Sequence, residues 1–218
     1  MFRSLTPEIL DTLPHHHTDA IASRRDLVRV NAAMRNTSWL LQQIQRAQRE
    51  FHIHQWVEVG AGDGHLGKQL ARTIEKNHCH VTGLDFAPRP EQWPAAWDWQ
   101  QGNLWQWDQW SKVEGVIACL VLHHFSLSQL AELGQRIQKN CRYFIAVEPV
   151  RKKIHLWQAN LLTSFGMNRV TRHDASLSVK AGFRDGELTQ AMGWDPQHWT
   201  ITLSQTWRGA YRFIAWHK

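Results

Sequence analysis

The sequence predicts an α/β protein: a parallel sheet covered on both faces, ending in an antiparallel hairpin and preceded by a helical cap. Three observations carry this. Short apolar runs alternate with helical stretches from about residue 51 onward, a glycine-rich turn joins the first run to the first of these helices, and two β-rich runs meet across Arg208-Gly209. The chain of 218 residues can bury a substantial core and divides into a helical cap over 1–50 and one α/β domain over 51–218.

Residues 1–17 read as a loosely ordered lead-in. From Thr18 to Phe51 the pattern is helical, with Leu27, Val30 and Met34 recurring at three and four residues. Asn36-Thr37-Ser38 interrupts it, and Thr37 or Ser38 is placed to cap a second helix through Leu40, Leu41 and Ile44. Strands are predicted at Gln55–Gly60, His80–Asp85, Gly115–Leu122 and Tyr143–Glu148, with a shorter one at Trp97–Gly102. Helices fall between them at Leu66–Lys76 and Leu127–Lys139, the second capped by Ser126. A further helix is expected after Asp174, as its cap. The tail runs Trp199–Thr206 and Gly209–His217 form the hairpin.

Composition narrows the class. The chain is 43% hydrophobic and 20% charged, which excludes a disordered or collagen-like protein. No run of about 18 apolar residues exists for a spanning helix. Nothing near Met1 has the order of a signal peptide, so a cytoplasmic location is expected. A net charge of +6 is spread in short groups rather than a stripe, which argues against a nucleic-acid surface. Cys79, Cys119 and Cys141 are too few for a disulfide framework or a four-ligand zinc site. His15-His16-His17 has no Cys or carboxylate at ligand spacing, so no metal is expected. Six of the 13 tryptophans fall between Trp93 and Trp110, and packing of a sheet edge accounts for them better than an aromatic binding surface.

The segment Val57-Glu58-Val59-Gly60-Ala61-Gly62-Asp63-Gly64 leaves a strand and enters a helix. Glycines there permit a tight turn and close approach of a ligand to the backbone, beside the unpaired N–H groups of a helix start. Asp85 ends the next strand, 25 residues after Gly60, where a carboxylate can accept both hydroxyls of a ribose. The loop is Gly-x-Gly-x-Gly, with no Gly-x-Gly-x-x-Gly and no following Gly-Lys-Ser/Thr. That favours a nucleoside without a pyrophosphate. Glu58 adds negative charge suited to a cationic ligand.

This combination resembles the class I S-adenosylmethionine-dependent methyltransferases. The resemblance rests on Glu58-Val-Gly-Ala-Gly-Asp-Gly64, Asp85, Gly102-Asn103-Leu104, the fourth-strand segment Val116–Phe125 and the terminal hairpin, over roughly residues 51–218. Arg172-His173-Asp174, Ser178, Ala181-Gly182-Phe183 and Glu187-Leu188 are similar to small bacterial methyltransferases of the ubiquinone/menaquinone type and those acting on polyketides or phenols. The resemblance implies a Rossmann-like seven-stranded methyltransferase sheet and S-adenosyl-L-methionine as cofactor. It implies that Gly60, Ala61, Gly62 and Gly64 lie under the methionine portion, with Glu58 close by. Asp85 would hold the ribose, Phe86 would pack on the adenine, Asn103 and Leu104 would edge it, and Cys119 and Leu120 would offer backbone groups. Many relatives carry Asp where this chain has Asn103, which still offers an acceptor.

Methyl transfer from a sulfonium needs alignment and exclusion of water, and a base only when the acceptor starts protonated. His124, His123 and Glu148 sit at neighbouring strand ends, the edge where open α/β sheets bind ligands. Of the two histidines His124 is slightly favoured as base, with Glu148 orienting an imidazole or touching the acceptor. Trp39, Trp157, Arg172 and His173 are candidate acceptor contacts. The sequence therefore predicts an O-methyltransferase for a small phenolic, polyketide or quinone-like molecule. An RNA or protein methyltransferase and a non-catalytic cofactor-binding module stay as alternatives. The Asn/Asp-Pro-Pro-aromatic run expected for base-amine methylation is absent.

Overall fold

The computed structural model describes residues 1–73, 79–163 and 166–218. In chain order the elements are α1 (Ile9–Thr12), α2 (Thr18–Ala33), α3 (Asn36–Phe51), β1 (Gln55–Val59), α4 (His65–Thr73), β2 (His80–Asp85) and β3 (Trp99–Gln101). Then come β4 (Gly115–Cys119), α5 (Leu127–Asn140), β5 (Tyr143–Pro149), α6 (Lys153–Thr163), α7 (Arg169–Ala181), α8 (Glu187–Ala191), β6 (Trp199–Gln205) and β7 (Ala210–His217). The predicted helix over 66–76 matches α4 as far as Thr73, and its last three residues lie outside the described ones.

All seven strands form one sheet in the order β3-β2-β1-β4-β5-β7-β6. β1 to β5 pair in parallel, and β7 runs antiparallel between β5 and β6. This is the predicted parallel sheet with its antiparallel hairpin. β5 lies between β4 and β7, and every residue of it is buried. Its side chains alternate as a strand requires. Phe144 and Ala146 enter the core under α5 and α8, with Val57, Val116, Leu130 and Phe213. Ile145 and Val147 enter the core on the opposite face, with Leu40 and Ile44 of α3 and Leu66 and Leu70 of α4.

The tryptophan cluster packs both faces at the β3 edge. Trp93 and Trp97 belong to one core, Trp107 and Trp110 to the other. Two rings of the cluster pair their indole N–H with the backbone: Trp93 donates to the Asp98 carbonyl at 3.0 Å and Trp97 to the Cys79 carbonyl at 3.0 Å.

Five local expectations are corrected. The break between α2 and α3 falls at Arg35, which takes a left-handed conformation (φ 57°), and neither Thr37 nor Ser38 caps α3. Strand β4 stops at Cys119 instead of Leu122, because Leu120 turns to φ 56° and Leu122–His124 close a 3₁₀ turn. β3 shrinks to three residues, two of them exposed. Asp174 begins no helix: α7 starts five residues earlier, with Asn168 accepting from the Val170 N–H at 2.7 Å. The lead-in over 1–17 is docked, not loose. Arg3 donates to the carbonyls of Ala181, His123 and Phe125, Ser4 to that of Lys180, and Asp174 accepts from the N–H groups of Ile9 and Leu10.

Candidate active site

The turn after β1 carries three glycines with positive φ, Gly60 (67°), Gly62 (59°) and Gly64 (71°). A Cβ on Gly60 would lie 2.6 Å from Cγ2 of Val121, which closes the turn from the β4 side. Asp85 at the end of β2 ties this loop down. One carboxylate oxygen accepts from the Gly62 N–H at 2.8 Å and the other from the Ala87 N–H at 2.8 Å. The Phe86 ring next to it is 73% exposed. Asn103 accepts from the Trp105 N–H at 3.0 Å and Leu104 is buried beneath it. Cys119 ends β4, with burial and the nearby Glu58 and Glu148 pushing its thiol up. Leu120, in its left-handed conformation, donates its N–H to the Val147 carbonyl at 2.8 Å. For a leucine that backbone is strained, and it sits just past the end of β4.

Glu58 is the anomaly beneath this loop. Its side chain is buried in β1, and its Oε2 has no hydrogen-bond partner among the described residues. Burial pushes its carboxyl well above the usual range, and the charges of Asp63 and Asp85 add to the push. An orphan buried carboxyl oxygen costs free energy unless a ligand completes it. A cationic ligand over the glycine turn would both satisfy the oxygen and restore the charge. With the open backbone at Gly62 and the uncovered Phe86 ring, these residues fit a nucleoside carrying an aminoacyl arm.

At the neighbouring strand ends Glu148 organises a second corner. It is fully buried and accepts from the N–H groups of Val121 (3.0 Å), Leu122 (2.8 Å) and His123 (3.2 Å). Its Oε2 also meets Nδ1 of His123 at 2.6 Å. Glu148 holds the His123 ring, while Nδ1 of His124 meets Asp11 at 3.2 Å. On the far side of the His123 ring, Nε2 faces Glu8 at 3.6 Å. Burial alone would lower the His123 pKa, yet the two carboxylates outweigh it and raise it to about 9.

Glu8 and Asp11 were invisible as site residues in the sequence, since they belong to the lead-in. What brings them here is the motif around residue 174. Asp174 holds α1, the Ser178 hydroxyl donates to Glu8, and Phe183 stacks under the Arg3 guanidinium at 4.8 Å. Arg151 joins Glu187, the Gly182 carbonyl and the Met1 carbonyl. The segment Arg172–Leu188 is therefore the dock for an N-terminal strap over His123. Further along, Arg24 donates to the His15 carbonyl, and both side chains feel the charges of Asp63 and Asp85, which sets α2 over the glycine turn.

The four acceptor-contact candidates are not brought together. Trp39 on α3 lies under the Arg212 guanidinium at 5.1 Å. Trp157 on α6 is 61% exposed. Arg172 and His173 are exposed on α7, where His173 meets Asp174 at 2.8 Å.

Sheet order and glycine turn together define the class I methyltransferase fold. Solved structures agree. The chain is similar to the plantazolicin methyltransferase BpumL in complex with SAH, with a TM-score of 0.69, 9% identity and coverage of 89% of this chain and 90% of that one. The complex of BpumL with SAH and a monoazolic desmethylPZN analog gives 0.71 at 8% identity over the same shares. The methyltransferase domain of bacterial CtHen1-C gives 0.56 at 14% identity, over 81% of this chain and 96% of that domain. No protein-family model matches the sequence, and no curated protein matches it. Among the described residues no helix is long and apolar enough to cross a membrane.

Proposed function

We propose that the protein is an S-adenosylmethionine-dependent methyltransferase acting on an oxygen of a small phenolic, polyketide or quinone-like acceptor. The observation that carries this reading is the orphan Oε2 of buried Glu58 beneath the glycine turn, with Asp85 at the next strand end. When bound, the cofactor supplies a methyl group already activated on a sulfonium. The chain's tasks are to bind, orient, exclude water and take a proton from the acceptor.

Glu58 would pair with the ammonium of the methionine arm, Asp85 with the ribose, and Phe86, Asn103 and Leu104 with the adenine. The backbone of Gly60–Gly64, Cys119 and Leu120 lines the turn between them. His124, held by Asp11 through Nδ1, would take the acceptor proton; the His123 ring, fixed between Glu148 and Glu8, would position the loop beside it. Since Nε2 of His123 faces Glu8, acceptor and strap share this space. A roof formed by the chain's own first residues suits a small acceptor better than a folded RNA. Trp39, Trp157, Arg172 and His173 stay as candidates for acceptor contacts.

Incubation with methyl-labelled cofactor and three pools tests this: phenolic metabolites, bulk RNA and cell protein. Label in the first pool, lowered by His124→Ala or His123→Ala without loss of cofactor affinity, is the expected result. Label confined to RNA or protein would overturn the acceptor assignment, and cofactor binding without label in any pool would mean a non-catalytic module.

A further inference from the structure

Three side chains at the roofed corner converge in a way the base assignment does not use. We propose that Glu8, His123 and His124 form a binding site for a divalent zinc-class metal ion. Each offers a ligand atom, and the three atoms lie within 4.8 Å of one another. Tetrahedral ligands about 2.0–2.2 Å from an ion sit about 3.3–3.6 Å apart, so the widest pair of the cluster has to close by up to about 1.5 Å. The two imidazole centroids are 4.1 Å apart, and Glu8 already stands 3.6 Å from Nε2 of His123.

The arrangement behind these atoms is the stronger argument. Metal-ligating histidines typically hold their other ring nitrogen on a carboxylate, which sets the tautomer and the ring's aim. Here both do: Nδ1 of His123 is on Glu148 and Nδ1 of His124 on Asp11. That leaves the ε nitrogens to meet an ion, the one on His123 already turned toward Glu8. Glu8 in turn accepts from the Ser178 hydroxyl. Two histidines and one carboxylate, each supported from behind, are a three-ligand set that leaves further positions for an acceptor oxygen. The charge balance agrees, since Glu8, Asp11 and Glu148 put three carboxylates around the two rings and Arg3 is the neighbouring cation that reaches this loop's carbonyls. Glu8, His123 and Glu148 are buried, where charge has to be compensated.

This rests on the proposed function and replaces its base step: the ion would hold the acceptor oxygen, and the two imidazoles would serve as its ligands. Its test is independent of methyl transfer. Full-length protein with a native N-terminus, stripped with chelator, is titrated with Zn²⁺ alone by calorimetry, without cofactor or acceptor. One equivalent should bind. Glu8→Gln and His124→Ala should each weaken binding at least tenfold, and Asp11→Asn by about 10- to 100-fold as a supporting partner. Asp85→Asn should leave the titration unchanged while weakening cofactor binding. His124 is partly exposed, so its variant should fold even if the Glu8 variant does not; circular dichroism checks both. No stoichiometric Zn²⁺ binding to folded protein, or binding that survives both ligand variants, overturns the site. Binding lost instead on His15→Ala/His16→Ala would assign the ion to the histidine tract and equally overturn it. Metal binding without methyl transfer to any acceptor would leave the site standing and sink the proposed function.

Discussion

Replacing Glu58 by glutamine removes a charge and keeps the shape. In the ligand-free protein the carboxyl is protonated over a range where the unfolded chain's carboxyl is ionised, because burial, Asp63 and Asp85 all raise its pKa. The folded state then holds one proton more than the unfolded state. Stability therefore falls as pH rises from the unfolded value of about 4.5 towards the raised folded one, by up to about 1.4 kcal/mol per pH unit. Glu58→Gln abolishes that slope, so the ligand-free variant should match or exceed the parent in thermal stability near neutral pH. About 1 kcal/mol corresponds to roughly 2–4 °C for a domain of this size.

Cofactor binding should respond in the opposite sense. A cation over Glu58 is bound best by the carboxylate, so binding releases a proton and the parent's affinity should rise with pH, up to about tenfold per unit. The variant should lose the pH dependence together with a charge-assisted hydrogen bond, a loss of about 1.5–3 kcal/mol or roughly 10- to 150-fold in affinity. Calorimetric titration with S-adenosylmethionine and SAH across pH 6–9 (a range chosen around neutrality), alongside thermal melts, reads both effects. A variant that is less stable without ligand, or that binds with the parent's affinity and pH profile, would refute the argument.

Three other outcomes follow from the geometry. Gly60→Ala combines a left-handed backbone with a Cβ 2.6 Å from Val121, so it should cost at least about 1–2 kcal/mol in denaturant unfolding; an unchanged midpoint would mean the turn relaxes freely. Asp174→Ala strips the N–H groups of Ile9 and Leu10 of their acceptor, so hydrogen exchange should quicken over residues 1–12 and stay constant in β5; equal protection would show that Arg3 and Arg151 alone hold the strap. Ser126→Ala breaks a full capping box with Gln129 and should lower stability by about 1 kcal/mol without altering cofactor affinity; a change in affinity would tie α5's first turn to the site.

Much of this fold was legible because its signals are local. Apolar runs of strand length, the glycine turn and the Ser126 cap each depend on neighbours in sequence, and β1, β2, α5 and the terminal hairpin lie where those signals put them. Misplaced boundaries occur where a tertiary contact overrides propensity. Leu120 turns out of β4 because Glu148, on the next strand, collects the N–H groups of Val121 to His123. Asp174 looks like a cap and is one, but for a helix 165 residues away in sequence.

From its sequence alone this protein determined its α/β class, the glycine turn, Asp85 and the placing of two histidines at a strand end. Those follow from backbone requirements that a few adjacent residues meet by themselves. Tertiary structure decided which histidine Glu148 holds and that the first dozen residues roof the site. It also decided that Glu8 and Asp11 complete a cluster with residues more than a hundred positions away. The physical reason is that buried charges and orphan N–H groups are satisfied by whatever the fold brings within about 3 Å, and sequence distance does not limit that choice.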